Sequence, residues 1–246
     1  DYGHHLHLGI PLLAALDAVE LKTILAHEIG HVGGERRFAA WIYRQRPTWR
    51  ALQQKLAEPK NVAEQVLAPF YRWYVPYFDA YTFVLARKHE YQADRAAARA
   101  TNLRLFARAL VKVSLAGRFL RELFWPRFFA QVEKAKEPPY PPFSMLPKAL
   151  TVAQKDWLRN DWLQHALGTF PAEHDTHPGL GERVAAPDVG GAMPAHHGGK
   201  SALTLLGPNA AAVLKWCDDE WMLENTQPWR KRHDAIKEAR WKIAQY

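Results

Sequence analysis

The heptapeptide Ala26-His27-Glu28-Ile29-Gly30-His31-Val32 constrains this chain more than any other stretch. It is an instance of H-E-x-x-H inside a segment whose apolar spacing predicts a helix. Two histidines four apart on a helix differ by about 40° of rotation, so both imidazoles leave one face and can offer two nitrogen ligands to one metal ion. Glu28 lies about 60° further round the same arc. From there a carboxylate can reach a water beside the metal without binding the metal itself. Leu21, Leu25, Ile29 and Val32 fall on the opposite arc and are expected to face the core. The helix is expected to start near Asp17, with Glu20 three residues on completing a capping-box pattern. Its end falls at Gly33-Gly34, or it continues with a break into Phe38 to Trp41.

Composition narrows what could hold such a metal. The single cysteine, Cys217, excludes both an internal disulfide framework and a Cys-rich zinc site, so the ligands must be His and carboxylate. At 246 residues, 48% hydrophobic and 24% charged, the chain has enough apolar surface for one good core with a smaller appendage. The net charge of +8 and the ten tryptophans raise nucleic acid and membrane surfaces as partners. The basic residues are spread along helical stretches without a recognition motif, so no nucleic acid is expected. An anionic membrane surface fits the same distribution equally well, and a solvated basic exterior is the simplest reading. No run of roughly 18 apolar residues occurs, so nothing in the sequence reads as a bilayer span. A chain starting at Asp1 without a signal-peptide pattern reads as a fragment or processed piece.

Taken in order, Tyr2 to Ile10 alternates apolar and polar residues and predicts a short strand leading to Pro11. His4 and His5 would then point to opposite faces and serve as polar strand positions. From Ala51 to about Phe119 the pattern is largely helical, with Asn61 as a cap and Pro69 and Pro76 as kinks or restarts. One long helix is expected over Phe78 to Ala116. Glu133 to Pro147 is proline-rich and reads as a loop or extended arm, and Trp157 to Phe170 as a short helix whose His165 is a surface or core residue. Residues 187–200 have the Gly and Pro content of a linker, and their His196-His197 pair makes a poor ligand set. Two helices are expected beyond it, Asn209 to Met222 and Trp229 to Gln245.

Within the long helical stretch, Glu90 and Asp94 stand four apart and share a face flanked by Ala93 and Ala97. Alone they read as an ordinary surface carboxylate pair. Coupled to the upstream motif, Glu90 can complete a His27-His31-Glu90 zinc site with an open fourth position, one ion per chain. Asp94 can then accept a hydrogen bond from the far nitrogen of one histidine and set its tautomer. Small residues on that face let another helix approach closely.

His27-Glu28-Ile29-Gly30-His31, followed by His89-Glu90-Tyr91-Gln92-Ala93-Asp94, resembles the gluzincin metallopeptidases of the HtpX and CAAX prenyl protease type. A third block, Asp175-Thr176-His177-Pro178 with Arg183 beyond it, resembles their T-H-P-x-x-x-x-R stretch. The resemblance covers about residues 8–186. It implies zinc on His27, His31 and Glu90, Glu28 as catalytic glutamate, Asp94 as supporting aspartate, and His177 and Arg183 as auxiliary residues near the active site. It also implies membrane association, since family members usually bring membrane helices or an anchor. Partners would be a protein or peptide substrate, and a membrane surface or membrane-anchored region outside this chain.

These readings combine into a mainly α protein with little β structure. Residues 1–186 form a zincin-type helical metallopeptidase domain, 187–200 a linker and 201–246 a helical extension. The activity expected is zinc-dependent endopeptidase. Two others compete with it: a catalytically silent metal-binding scaffold, and a basic, Trp-rich module for membrane surfaces or nucleic acid.

Overall fold

A computed structural model describes residues 5–31, 34–157, 161–169, 178–185 and 199–245. Among these the chain is mainly α-helical and contains no strand, only an isolated bridge between Asp17 and Ser201. Contacts divide it into two compact units. One comprises residues 1–22, 108–166 and 193–246, the other residues 23–107 and 167–192.

In the first unit, which also holds α6 (Trp125–Ala130), helix α1 (Ile10–Ala15) packs on α7 (Pro142–Trp157), and α7 packs on α10 (Ala210–Ile243). Tyr2 to Ile10 is not a strand. Residues 5–9 are irregular, and Ile10 and Pro11 open α1. A strand needs a partner ladder, and the described residues offer none, whereas proline's fixed φ suits the first turn of a helix. Helix α2 (Ala18–Gly30) begins at the expected capping box. Asp17 Oδ1 accepts from the Glu20 amide at 2.8 Å, while Glu20 Oε2 accepts from the Asp17 amide at 2.9 Å. Glu20 is fully buried, and its charge is met by Arg108 at 2.7 Å and Lys112 at 2.8 Å.

The proline-rich arm is also shorter than expected. Residues 134–141 lie outside helices, but Pro142 starts α7 and Pro147 lies inside it. The cause is remote. Buried Asp218 of α10 accepts from the Phe143 amide at 2.7 Å, the Ser144 amide at 3.0 Å and the Ser144 hydroxyl, which satisfies the first turn of α7. The two expected C-terminal helices are one, since α10 runs through Pro228. The carbonyl that Pro228 leaves unbonded, on Glu224, sits at an exposed position where water can take it. Trp229 and His233 anchor this helix, donating to the Ala135 carbonyl at 2.9 Å and the Val132 carbonyl at 2.6 Å. Trp157 ends α7 rather than opening the next helix, α8 (Trp162–Gly168). The expected linker, Gly199 and Lys200 aside, lies outside the described residues.

In the second unit, α3 (Gly34–Lys55) packs along α4 (Val62–Ala100). Trp49 sits against Tyr71, Tyr74 and Phe78, and Arg46 and Arg50 both reach Asp79, at 3.1 and 2.5 Å. Asn61 caps α4, its Oδ1 accepting from the Glu64 amide at 2.9 Å. Pro69 and Pro76 do not interrupt α4; the carbonyls they orphan, on Gln65 and Arg72, are at exposed positions. Nor is Phe78 to Ala116 one helix. The chain leaves helical geometry at Thr101 (φ −128°, ψ −100°), and Asn102 Oδ1 starts α5 (Leu103–Phe119) by accepting from Leu105 N at 2.8 Å.

The orientation of α2 is a further correction. Leu21 is buried as expected, but Thr23 and His27 are buried too, Leu25 is only half-buried and Ile29 is 67% exposed; Val32 lies outside the described residues. The face carrying the motif is therefore the inner one. Close packing decides this: a Cβ on Gly30 would lie 3.1 Å from the Ala93 backbone of α4. Glycine facing buried alanine lets two helix axes approach where larger residues would hold them apart.

Candidate metal centre

Where α2 meets α4, three side chains converge. His27 and His31 stand one turn apart on α2, and Glu90 reaches across from α4. His27 Nε2 and His31 Nε2 are 3.2 Å apart. Glu90 Oε1 is 3.5 Å from His31 Nε2, and Glu90 Oε2 is 3.6 Å from His27 Nε2. His27 and Glu90 are buried, and His31 is partly exposed, so the cluster is walled on one side and reachable on the other.

These spacings test whether a metal would fit. Zinc bonds of roughly 2.0–2.1 Å in tetrahedral directions place neighbouring ligand atoms about 3.3–3.4 Å apart. The closest approach within each pair lies near that value, with His31 nearest one Glu90 oxygen and His27 nearest the other, and one ligand atom from each residue can be chosen so that all three lie within 4.8 Å of one another. The donor set of two imidazoles and one carboxylate is also the borderline-hard set that suits zinc, with a fourth direction left over.

The next contacts outward settle which ring nitrogen is available. His27 Nδ1 lies 2.9 Å from Asp94 Oδ1. A carboxylate there accepts a hydrogen bond from Nδ1–H and leaves the Nε2 lone pair aimed at the cluster. Asp94 is in turn gripped by Arg183 of α9 (Leu180–Ala185), whose Nε donates to Oδ2 at 3.0 Å and Nη2 to Oδ1 at 2.6 Å. Burial alone would raise the Asp94 pKa, but the hydrogen bonds from His27 and Arg183 outweigh it and hold the carboxyl below its ordinary value. Arg183 Nη2 also comes within 4.0 Å of Glu90 Oε2, placing one fixed cation between two buried carboxylates.

Helix α9 owes its position to specific contacts. Arg87 on α4 bonds Glu182 at 2.5 Å, and Glu182 also accepts from the Gly179 amide at 2.7 Å. The Arg87 hydrogen bond is the main cause that lowers the Glu182 pKa, with the Gly179 amide second. A Cβ at Gly181 would lie 2.2 Å from the Leu167 carbonyl oxygen, so only glycine admits this approach.

The structure therefore brings together His27, His31, Glu90, Asp94 and Arg183. Glu28 lies exposed beside the cluster on α2. His177 falls outside the described residues, as do His4, His196 and His197. His165 is exposed on α8. Glu90 and Asp94 are not a surface pair, being 7% and 6% exposed. Sequence reading missed Phe106, whose ring stacks on His27 with centroids 6.5 Å apart, and the Arg87–Glu182 tie. Nothing in the Ala, Leu and Arg pattern around Phe106 marks it as different from any core residue.

Two helices presenting H-E-x-x-H and a buried glutamate around one point fit a metal-dependent hydrolase type of site. A family model for peptidase family M48 matches residues 4–188, more than half of the chain, and the chain belongs to that family. It is accordingly a metallopeptidase by family, of a kind generally dependent on zinc and acting on proteins or peptides. No curated protein and no solved structure matches it.

Proposed function

We propose that the chain is a zinc-dependent endopeptidase of the HtpX and CAAX prenyl protease type, with residues 1–186 as catalytic domain, 187–200 as linker and 201–246 as helical extension. The observation that carries this reading is the convergence of His27, His31 and Glu90, whose ligand atoms all lie within 4.8 Å of one another. These three would hold one zinc per chain. Bound zinc supplies a Lewis acid that makes water more acidic and polarises the scissile carbonyl.

The remaining steps belong to the protein. A Glu28 carboxylate oxygen takes a proton from the attacking water and returns it to the leaving amide nitrogen. Asp94 keeps the His27 Nδ1 proton in place and so fixes the ring's orientation. Arg183 cannot lose its charge, and it holds Asp94 through two parallel hydrogen bonds while offsetting the carboxylates around it. His177, outside the described residues, would donate to the developing oxyanion or would bind the zinc itself and hold the resting site shut. Membrane association belongs to the same reading by family resemblance. No helix among the described residues is long and apolar enough to cross a membrane, so association would use a surface or a segment outside this chain.

Metal removal tests the whole. Purified protein should carry about one zinc per chain and cleave an unfolded protein substrate. Chelation should stop cleavage and added zinc restore it. Cleavage unaffected by complete zinc removal would overturn the proposal. The Asp94 role has its own test: Asp94→Asn should keep the fold but weaken zinc affinity or activity about 10–100-fold. Chelator competition and steady-state kinetics read both quantities, and an unchanged enzyme would reduce Asp94 to a buried partner of Arg183.

A further inference from the structure

Helix α4 has a second patterned face, turned away from the metal cluster. Val66, Phe70, Trp73, Tyr77, Tyr81 and Val84 are all large, and all are 49–72% exposed. Their steps of four, three, four, four and three keep them on one strip roughly 80° wide and about 27 Å long. Scattered exposed apolar residues are ordinary, whereas a contiguous strip of this size marks a surface with a partner. The inner face of the same helix buries Ala68, Val75, Thr82, Ala86, Ala93 and Ala97, so the strip is not a misplaced core.

Charge continues the pattern. Beyond Val84 the same side of the helix carries Lys88, Arg95 and Arg99, all exposed. Every acidic residue of α4 lies off the strip by about 60° or more. Asp79 is held by Arg46 and Arg50, Glu90 and Asp94 belong to the metal cluster, and Glu64 bonds backbone at the helix start. One side of α4 is therefore apolar and aromatic for about 27 Å, and beyond that its charged residues are all cationic.

We propose that this side of α4 docks onto an anionic lipid surface. The strip enters the boundary between headgroups and acyl chains, and Lys88, Arg95 and Arg99 meet the lipid phosphates. Trp73, Tyr77 and Tyr81 suit that boundary, because each pairs an apolar ring with an N–H or O–H that headgroups and water can satisfy. A second copy of the chain fits less well. Its identical face would supply no carboxylate for the three cations, and the dry contact would strand the ring donors. The chain's net charge of +8 favours the anionic surface as well. This inference rests only on the membrane-association part of the reading above and is independent of the peptidase chemistry.

Co-sedimentation of the full chain with vesicles tests it, using phosphatidylcholine alone and phosphatidylcholine with phosphatidylglycerol. The protein should sediment with the anionic vesicles and be released by salt. Phe70→Ser/Trp73→Ser/Tyr77→Ser should lower that binding about ten-fold or more. Lys88→Glu/Arg99→Glu should lower it similarly and remove its salt dependence. Zinc content and cleavage of a soluble substrate should stay at the parent level in both variants, so failure here is distinguishable from failure of the peptidase reading. If the triple variant does not fold, as read by circular dichroism, the charge variant decides. Three outcomes overturn the proposal: no binding of the parent to anionic vesicles, full binding by the folded variants, or a parent dimer in sedimentation velocity that the substitutions dissolve.

Discussion

Purified Glu90→Ala should retain little zinc where the parent is expected to hold about one ion per chain. The substitution removes the only carboxylate among three converging ligand atoms and leaves His27 Nε2 and His31 Nε2 facing each other 3.2 Å apart. Loss of a group that merely orients a ligand costs metal affinity about 10–100-fold, so loss of a ligand should cost at least about 100-fold. Glu90 is buried, and its removal could disturb packing as well as binding. Circular dichroism and the melting temperature of the metal-free protein separate the two effects. A folded Glu90→Ala chain without zinc identifies a ligand, while an unfolded one identifies only a core residue. His165→Ala is the control: that histidine is exposed on α8, and its loss should leave zinc content unchanged. Zinc at the parent level in Glu90→Ala would sink the assignment of the third ligand.

Each half of the candidate metal site was legible because its geometry is local. Residues four apart on a helix share a face whatever surrounds them, so His27 with His31 and Glu90 with Asp94 could be paired from spacing alone. Which way that face points was not local. The apolar arc of α2 was expected to be buried, and Leu21 is, yet Ile29 is exposed and Thr23 and His27 are inside, because Gly30 and Ala93 set the approach to α4. A ligand cluster needs walls, and here the wall is a neighbouring helix that no single-helix pattern can show. The prolines misled for a related reason. Pro69 and Pro76 break the pattern in sequence but lie four residues after the exposed Gln65 and Arg72, and tertiary packing carries the helix past them. The start of α7 depends on Asp218, more than seventy residues away, and Arg183 reaches Asp94 across 89 positions. Contacts of that kind leave no periodic trace. Only resemblance to a family pointed to Arg183, and nothing pointed to Phe106.

The cleanest separation of binding from catalysis should come from Glu28→Gln, which is expected to lower turnover by roughly 10²–10⁴-fold with zinc content intact. Glutamine has the same length and shape as glutamate and can still hold a water by hydrogen bonding, but it cannot accept a proton at neutral pH. Glu28 is exposed and lies outside the His27, His31 and Glu90 cluster, so neither metal affinity nor melting temperature should move. Paired with Glu90→Ala, the variant gives a dissociation that only one arrangement of roles explains. One substitution should remove metal and activity together, and the other activity alone. The loss should appear in kcat more than in KM, because proton transfer is needed in the transition state rather than in binding. If Glu28→Gln kept more than about a tenth of the parent rate, the base would have to be another group. If the zinc-loaded parent itself cleaved nothing, the silent scaffold would become the better description, and an intact Glu28 would be the feature left to explain.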